Sequence, residues 1–326
     1  MHQSHVSTNS PAPASKAISV PPLPEGWSVV NYAALADGAL AILGANPDVN
    51  KEWRRDADGG MGDPYGVAAS AQGRIWIFNG YDLKDGPAFP LLTPFPIVDR
   101  FPDGRWLVAS ARAIVGADAR ILSADGDELS RIHLGDGIER LKIDNTAHIW
   151  VGWFDEGVFG NEGWIVPNLE WPPSCYGLAA FDEFGQVAAQ ASDLPQELAI
   201  SDCHAVNVID AAAYACTCGD FPIALMSLRE PLRWWTTELS GTRALAIQPP
   251  HVVAVGGYGE ESDRAVLLRL EDQDVAVIRE WRLPFKAGFP VSVSLVDGRG
   301  EVLHIVHEGL WHRWRVADFV AAAETS

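Results

Sequence analysis

The sequence predicts an all-β fold, a single β-propeller of about seven blades, with six as the alternative count. Three observations support this prediction. A unit of two apolar strands joined by a turn rich in Asp, Gly or Asn recurs, mostly at intervals of about 40 residues. Almost no stretch has the apolar spacing of an amphipathic helix. The 13 tryptophans supply large side chains of the kind that pack between pleated sheets.

The clearest unit covers residues 137–157, GIERLKIDNTAHIWVGWFDEG, in which Asp144 and Asn145 form the turn and IWVG is the second strand. The other units cover residues 29–46, 65–82, 95–110, 204–220, 243–259 and 289–311. The step from the unit at 65 to the unit at 95 is short, so these two units could belong to one blade. That ambiguity leaves six blades as the alternative.

One unit also resembles a known family. The stretch IERLKIDNTAHIWVGWFDEGVF is similar to the two-component-regulator propeller repeat, in which an apolar-spaced stretch ending in Asp precedes an IWVG-like strand. The overlapping stretch WVGWFDEGVFGNEGW is similar to a segment of uncharacterised bacterial propeller proteins. The match covers a single blade. It implies the propeller fold and transfers no catalytic residue.

The chain ends suggest the domain limits. Residues 1–24 are rich in Ser, Pro and Ala, which predicts a disordered leader ahead of a propeller domain over residues 25–326. The stretch HRWRV near the C-terminus is expected to close the ring against an N-terminal strand near Trp27. No signal-peptide pattern and no apolar run of ~18 residues occurs, and only four cysteines are present. We therefore expect a cytoplasmic protein without a membrane partner.

The charge balance is strongly acidic, with 43 Asp and Glu against 24 Lys and Arg and a formal net charge of −19. Such a field repels phosphate backbones, so nucleic acid is not expected as a partner. It attracts cations, and a divalent cation such as Ca²⁺ or Mg²⁺ is the cofactor the composition allows. Solubility alone is the competing explanation of the acidity.

Propeller geometry places the start of each inner strand and the loop after each second strand on one face. The loop segment WFDEGVFGN (153–161) combines adjacent acids, aromatic rings and glycines, as ligand pockets do. The expected ligand-binding residues on this face are Trp153, Asp155, Glu156, Asn161, Asp82, Tyr81 and Tyr258. The competing interpretation is that the aromatic rings pack between blades while the acids are solvated.

Three residues at the starts of inner strands are candidates for acid–base chemistry: Glu139, His204 and Arg243. Histidine is the side chain best suited to exchange a proton near neutral pH, so His204 is the expected general acid or base. Carboxylates in the same loops could hold a metal ion, because hard cations take oxygen ligands. The candidate metal ligands are Asp155, Glu156, Asp220 and Glu308.

Two functions follow as hypotheses. The first is a binding module that recognises a small molecule, a peptide or a protein partner on the acidic face. The alternative is a metal-assisted or acid–base hydrolase or lyase at the mouth of the central channel. No strict catalytic motif such as G-x-S-x-G or H-E-x-x-H is present. Convergence of Glu139, His204 and Arg243 on one cavity would favour the enzyme.

Overall fold

The computed structural model describes residues 10–50, 64–113, 118–160, 172–192, 199–217, 222–272, 274–285 and 295–325. These residues form six antiparallel sheets of four strands each. The first strand of each sheet contacts the first strand of the next, and the last of them contacts the first, so the sheets form a closed ring. The predicted all-β propeller is therefore confirmed, with six blades.

The first three blades each consist of four consecutive strands. Blade 1 contains β2 (Ser28–Ala34), β3 (Leu40–Asn46), β4 (Gln72–Phe78) and β5 (Leu83–Pro90). Blade 2 contains β6 (Pro96–Arg100), β7 (Trp106–Ser110), β8 (Ala119–Leu122) and β9 (Glu128–Ile132). Blade 3 contains β10 (Ile138–Ile143), β11 (Ile149–Trp153), β12 (Leu178–Phe181) and β13 (Val187–Gln190).

Blades 4 and 5 follow the same plan, and blade 6 takes its fourth strand from the N-terminus. Blade 4 contains β14 (Cys203–Ile209), β15 (Ala212–Thr217), β16 (Ile223–Ser227) and β17 (Arg233–Trp235). Blade 5 contains β18 (Thr242–Gln248), β19 (His251–Gly256), β20 (Arg264–Leu270) and β21 (Val275–Arg282). Blade 6 contains β22 (Leu295–Arg299), β23 (Val302–His307), β24 (Leu310–Arg315) and β1 (Lys16–Ser19).

Short helices occupy some connections. They are α1 (Pro64–Ser70), α2 (Asp155–Val158), α3 (Val316–Glu324) and the 3₁₀ turns η1 (Pro173–Tyr176) and η2 (Gly259–Glu261). Within the described ranges, no helix has the length and apolar character needed to span a bilayer. Phe319 of α3 packs edge-on against Trp281 of blade 5, with ring centroids 5.3 Å apart.

The ring closes through the N-terminal segment. β1 pairs antiparallel with β24, and Ala12 N donates to Arg282 O of blade 5 at 2.8 Å. The expected closure of HRWRV against an N-terminal strand is therefore confirmed, but the strand is not the one near Trp27, because Trp27 directly precedes the first strand of blade 1. The expected disorder up to Pro24 does not hold for residues 16–19, which are a strand, and residues 1–9 lie outside the described chain. Pairing of the two chain ends protects the outer edge of blade 6.

The blade count is the lower of the two predicted values. The stretch 65–82 is not a separate strand pair, because it contains part of α1 and the third strand of blade 1. The third strand β4 carries a run of apolar residues like that of a second strand, since both kinds of strand are packed between neighbouring blades. The alternation therefore identified a strand correctly and misplaced it within its blade.

Tryptophans fill the space between blades. The fully buried indoles are those of Trp76, Trp106, Trp150, Trp153, Trp281, Trp311 and Trp314. The turn of the clearest repeat is held by the buried Asp144 carboxylate. It accepts hydrogen bonds from Thr146 N at 2.8 Å, His148 N at 3.0 Å and Trp150 Nε1 at 2.7 Å. The DNTAHIW motif thus specifies a turn that Asp144 stabilises by hydrogen bonds and a buried Trp150 that binds the same carboxylate.

Candidate functional site at the mouth of the central channel

The antiparallel order of the strands fixes which residues share a face. We call the top face the side on which inner strands begin and second strands end, and the bottom face the opposite side. Glu139, His204 and Arg243 lie at inner-strand starts and are on the top face. Tyr81 and Asp82 join the third and fourth strands of blade 1, so they lie on the bottom face. Their predicted place on the top face is wrong, because β4 is a third strand.

A β-bulge recurs near the top of the inner strands. The ladder with the second strand skips one residue in β2, β10, β14 and β18. The skipped residues are Val30, Glu139, His204 and Arg243. Bulges break the strict alternation of side chains and re-aim one of them, and they are frequent next to active sites. All three predicted acid–base candidates are therefore bulge residues at equivalent positions of their blades.

The inner strands surround a cavity of about 660 Å³ at the channel mouth. Glu139 and Arg243 line it together with Asn31 of blade 1. Two of the predicted acid–base residues thus face one cavity, while His204 is not among the residues that line it.

Buried ion pairs line the deep part of this cavity. Lys142 of blade 3 binds Asp297 of blade 6, the blade opposite it in the ring. Arg299 Nη1 lies 2.7 Å from Asp99 Oδ2 of blade 2, and Arg299 Nη2 donates to Ile143 O at 2.6 Å. All four charged side chains are buried. Because these bonds cross between blades, the charges in the deep part of the cavity neutralise one another, and we call this cavity the cup. We call these four residues the plug.

Asn207 adds a neutral bridge beside the plug. Its Nδ2 donates to Leu245 O at 2.7 Å and to Gly300 O at 2.8 Å, and its Oδ1 accepts from Gly300 N at 2.8 Å. The side chain is fully buried and links blades 4, 5 and 6. Both the nitrogen and the oxygen of this amide group form hydrogen bonds to backbone atoms, which favours one fixed arrangement of the three inner strands.

A second cluster stands at the rim of the cup. His204 Nε2 lies 3.0 Å from the Tyr258 hydroxyl, and His204 Nδ1 lies 3.4 Å from Asp202 Oδ1. Burial raises the pKa of the Asp202 carboxyl, the positive charge of His204 lowers it, and the carboxylates of Glu139 and Asp155 raise it further. The rim therefore brings together three carboxylates, an imidazole and a phenol.

Arg140 ties the mouth across the ring. Its Nη1 donates to Glu139 O at 3.0 Å and lies 3.3 Å from Glu139 Oε1. Its Nη2 donates to Arg243 O at 3.4 Å, which spans from blade 3 to blade 5. The guanidinium is thus committed to holding the bulges of two blades and only partly offsets the carboxylates around it.

The predicted loop segment divides into buried and exposed parts. Trp153 is fully buried and its Nε1 donates to Leu134 O at 3.1 Å, so it belongs to the core and presents no surface to a ligand. Glu156 lies 2.5 Å from Arg112 Nη1. Asp155 is exposed at the start of α2. Asn161 lies outside the described residues.

The proposed metal ligands are not brought together. Glu308 is 81% exposed on the turn after β23, in the blade opposite Asp155 and Glu156. Asp220 lies outside the described residues. In the part of the chain that the structure describes, no three His, Cys, Asp or Glu side chains are grouped to hold a metal ion. A bound divalent cation therefore stays a prediction.

The sequence places Arg140 at an inner-strand start and Asp99 deeper in its strand, but it predicts no role for them, for Asp202 or for the rest of the plug. Asp202 carries no motif, and its relation to His204 was visible only as a spacing of two residues. The plug residues are far apart in the chain, and only ring closure brings them together. A usable signal was the presence of charged residues inside otherwise apolar inner strands, as for Asp99 and Lys142.

Comparison with known proteins supports the fold. No protein-family model matches the chain, and no curated protein matches it. A chain of the mitotic checkpoint complex crystal structure superposes with a TM-score of 0.52 at 9% identity, covering 97% of this chain and 99% of that one. Virginiamycin B lyase from Staphylococcus aureus, as the selenomethionine protein, gives 0.51 at 10% identity, covering 92% and 98%. Such similarity shows a β-propeller alone, and the two-component-regulator resemblance is not confirmed.

Proposed function

We propose that this protein is a binding module that takes a small organic cation into the cup on its top face. The observation that carries the proposal is a cavity in the central channel whose deep lining is made of paired charges and whose rim is built from bulge residues. Its volume of about 660 Å³ is within the range of ~300–1,000 Å³ usual for small-molecule sites. The floor is formed by paired charges, so recognition depends on the groups at the mouth.

The balance of charge at the mouth favours a cation. Glu139, Asp155 and Asp202 are close enough for the first two to raise the pKa of the third. That mutual repulsion falls when a positive group enters between them. The overall charge of −19 increases the rate at which cations arrive. Among the described residues, the carboxylates at the mouth are not grouped as metal ligands are, which suits an extended ammonium or guanidinium better than a bare metal ion.

Arg243 adds a second binding group to the site, one that suits an oxygen atom of the ligand. Its exposed side chain lines the same cavity as Glu139. A guanidinium offers several N–H donors to an oxygen of the ligand. The site therefore suits a small amine that also carries a carboxylate or hydroxyl group, held with its cationic end toward the carboxylates.

The test is a panel of putrescine, agmatine, arginine and glutarate, followed by thermal unfolding and titration calorimetry. Cationic members are expected to raise the melting temperature by mass action, and glutarate is not. The double variant Glu139→Gln and Asp155→Asn should lose this shift. Asp125→Asn, in the bottom-face turn between β8 and β9, is the matched control and should keep it. A shift by glutarate alone, or one that survives in the double variant, would contradict the proposal.

A second candidate, an acid–base lyase or hydrolase at the same mouth, is supported by one arrangement. Asp202, His204 and Tyr258 form a chain of carboxylate, imidazole and phenol with contacts of 3.4 and 3.0 Å. Such a chain can orient an imidazole and pass a proton through it. Mass spectrometry of each bound ligand after prolonged incubation tests it. Turnover that His204→Asn abolishes while binding persists supports an enzyme, and unchanged ligand supports the binding module alone.

A further inference from the structure

A row of polar side chains crosses blade 6 from the channel to its outer edge. Asp297 of β22 is paired with His304 of β23, His304 with Arg313 of β24, and Arg313 with Lys16 of β1. Residues directly opposite one another in adjacent strands project from the same face of a sheet. In a propeller that face packs against the next blade, and apolar residues are expected there. Four polar or charged residues in a row on this face are therefore unusual and call for an explanation.

This row opens into a cavity of about 700 Å³ on the bottom face, between blades 6 and 1. Lys16, His304 and Arg313 line it from blade 6, and Asp37 and Asn79 line it from blade 1. The cavity is on the opposite side of the ring from the cup. It is also a separate space, since the two cavities share no lining residue.

The acidic groups that line this cavity have partners, whereas two of its basic groups have no acidic partner among the described residues. Asp37 lies 2.5 Å from Arg100 Nη2, and Asp318 accepts from the backbone N of Arg315 at 2.7 Å at the start of α3. Within the described residues, Lys16 and Arg313 have no carboxylate partner. In a chain with 43 acidic residues, two neighbouring cations without counterions are unusual. The cavity consequently offers positive charge to an anion.

The deep end of the cavity holds a neutral hydrogen-bonding group. His304 is only 1% exposed, and its Nδ1 has no hydrogen-bond partner among the residues described. Burial and the nearby positive charges of Lys142 and Arg313 lower the pKa of His304 to about 3. Its ring stacks on Trp311 with centroids 5.7 Å apart, and the Arg313 guanidinium lies 4.3 Å from the Trp311 centroid. The indole thus positions both side chains.

We propose that this cavity binds the phosphate group of a soluble phosphate monoester through Arg313, Lys16 and His304. Arg313 contributes a planar guanidinium, Lys16 a second positive charge at the entrance, and His304 a buried N–H donor. Two cations match the charge of a phosphate monoester at neutral pH. The remaining volume accommodates the organic part of the ligand. The site is independent of the cup and of the cation proposed to bind there.

The test is titration calorimetry in phosphate-free buffer, with inorganic phosphate and glucose 6-phosphate as probes. Saturable binding is expected, and Arg313→Gln should weaken it by at least about tenfold through loss of a charge-assisted hydrogen bond. Lys16→Gln and His304→Phe should each weaken it less, and the phenyl ring keeps the stack on Trp311. Arg229→Gln is the control, because Arg229 is an exposed arginine on the bottom face in the turn after β16. It should leave binding unchanged.

Several results would overturn the proposal. One is the absence of saturable binding heat with either probe. Another is equal affinity of the wild type and Arg313→Gln for the probes. A third is a loss of affinity in Arg229→Gln as large as in Arg313→Gln, which would indicate unspecific charge attraction. Flotation with vesicles containing phosphatidic acid distinguishes a lipid headgroup. Binding to those vesicles without binding to glucose 6-phosphate also contradicts a soluble ligand. If Arg313→Gln does not fold, Lys16→Gln and His304→Phe decide the question, since Lys16 is exposed.

Discussion

The mouth of the central channel and its interior use charged residues in opposite ways. On β10 alone, Glu139 stands at the mouth with its side chain 36% exposed, while Lys142 lies three residues deeper with its side chain 6% exposed. Lys142 meets Asp297 from the opposite blade, and Arg299 meets Asp99. At the mouth, the bulge residues face a cavity or its rim. Depth in the channel thus separates charges that hold blades together from charges that are available to a ligand.

The physical reason for this difference is solvation. A charge removed from water is tolerated only when an opposite charge and hydrogen bonds replace the lost hydration. The plug meets that requirement with two anions and two cations, and Asp99 also accepts from Ile143 N at 2.7 Å. The charged side chains at the mouth are partly exposed to solvent, as Glu139 is, so they do not depend on a buried partner. Substitutions in the plug should therefore affect folding, and substitutions at the mouth should affect binding.

The largest effect is expected for Lys142→Met. The variant leaves the Asp297 carboxylate buried without its counterion, which should lower the free energy of unfolding by about 3–5 kcal/mol. Urea denaturation followed by tryptophan fluorescence measures this change. The double variant Lys142→Met with Asp297→Leu removes both charges and should recover most of the loss. A cost below about 1 kcal/mol for the single variant would show that water reaches the plug and that the channel is open.

A smaller effect is expected from pH at His304, beside the plug. The pKa of His304 is lowered to about 3, below the ordinary value of 6.5, so the unfolded chain binds the proton more readily. Stability from this group is complete above pH 6.5 and falls as the pH decreases toward 3. The expected loss is about 2 kcal/mol at pH 5 relative to pH 8.

The control for that prediction is His304→Phe. This variant keeps an aromatic ring against Trp311 and cannot be protonated, so the difference in unfolding free energy between it and the wild type isolates the contribution of His304. That difference should change by about 2 kcal/mol between pH 8 and pH 5, in anion-free buffer. A difference that stays constant over this range would mean that His304 is solvated and titrates normally.

The comparison also shows how far sequence alone reaches. The strand alternation predicted the propeller, and inner-strand starts predicted Glu139, His204 and Arg243 at one face. The bulges that re-aim these residues leave no local signal, because each is a mismatch between two strands. The Lys142–Asp297 bridge joins residues 155 positions apart and exists only after the ring closes. Contacts of this kind depend on topology, which periodicity does not specify.

The errors have the same origin. The sequence predicts Tyr81 and Asp82 on the top face because the strand before them resembles a second strand, although it is the third strand of blade 1. It predicts Trp153 as a ligand contact because aromatic residues line both pockets and blade interfaces. Asp144, in contrast, was correctly interpreted as a turn residue, since Asp in a short turn before IWVG has a local explanation. The local chemistry of a turn can thus be predicted from sequence, whereas the place of β4 within blade 1 cannot.

The smallest effect on stability is expected at the mouth, and it completes the comparison with the plug. Glu139→Gln lies on the same strand as Lys142→Met and keeps the shape of the side chain. Its backbone carbonyl still accepts from Arg140, so the free energy of unfolding should change by less than about 0.5 kcal/mol. The cation-dependent rise in melting temperature should nevertheless fall. A loss of more than about 1.5 kcal/mol, with cation binding intact, would make Glu139 a structural residue and remove the distinction between mouth and plug.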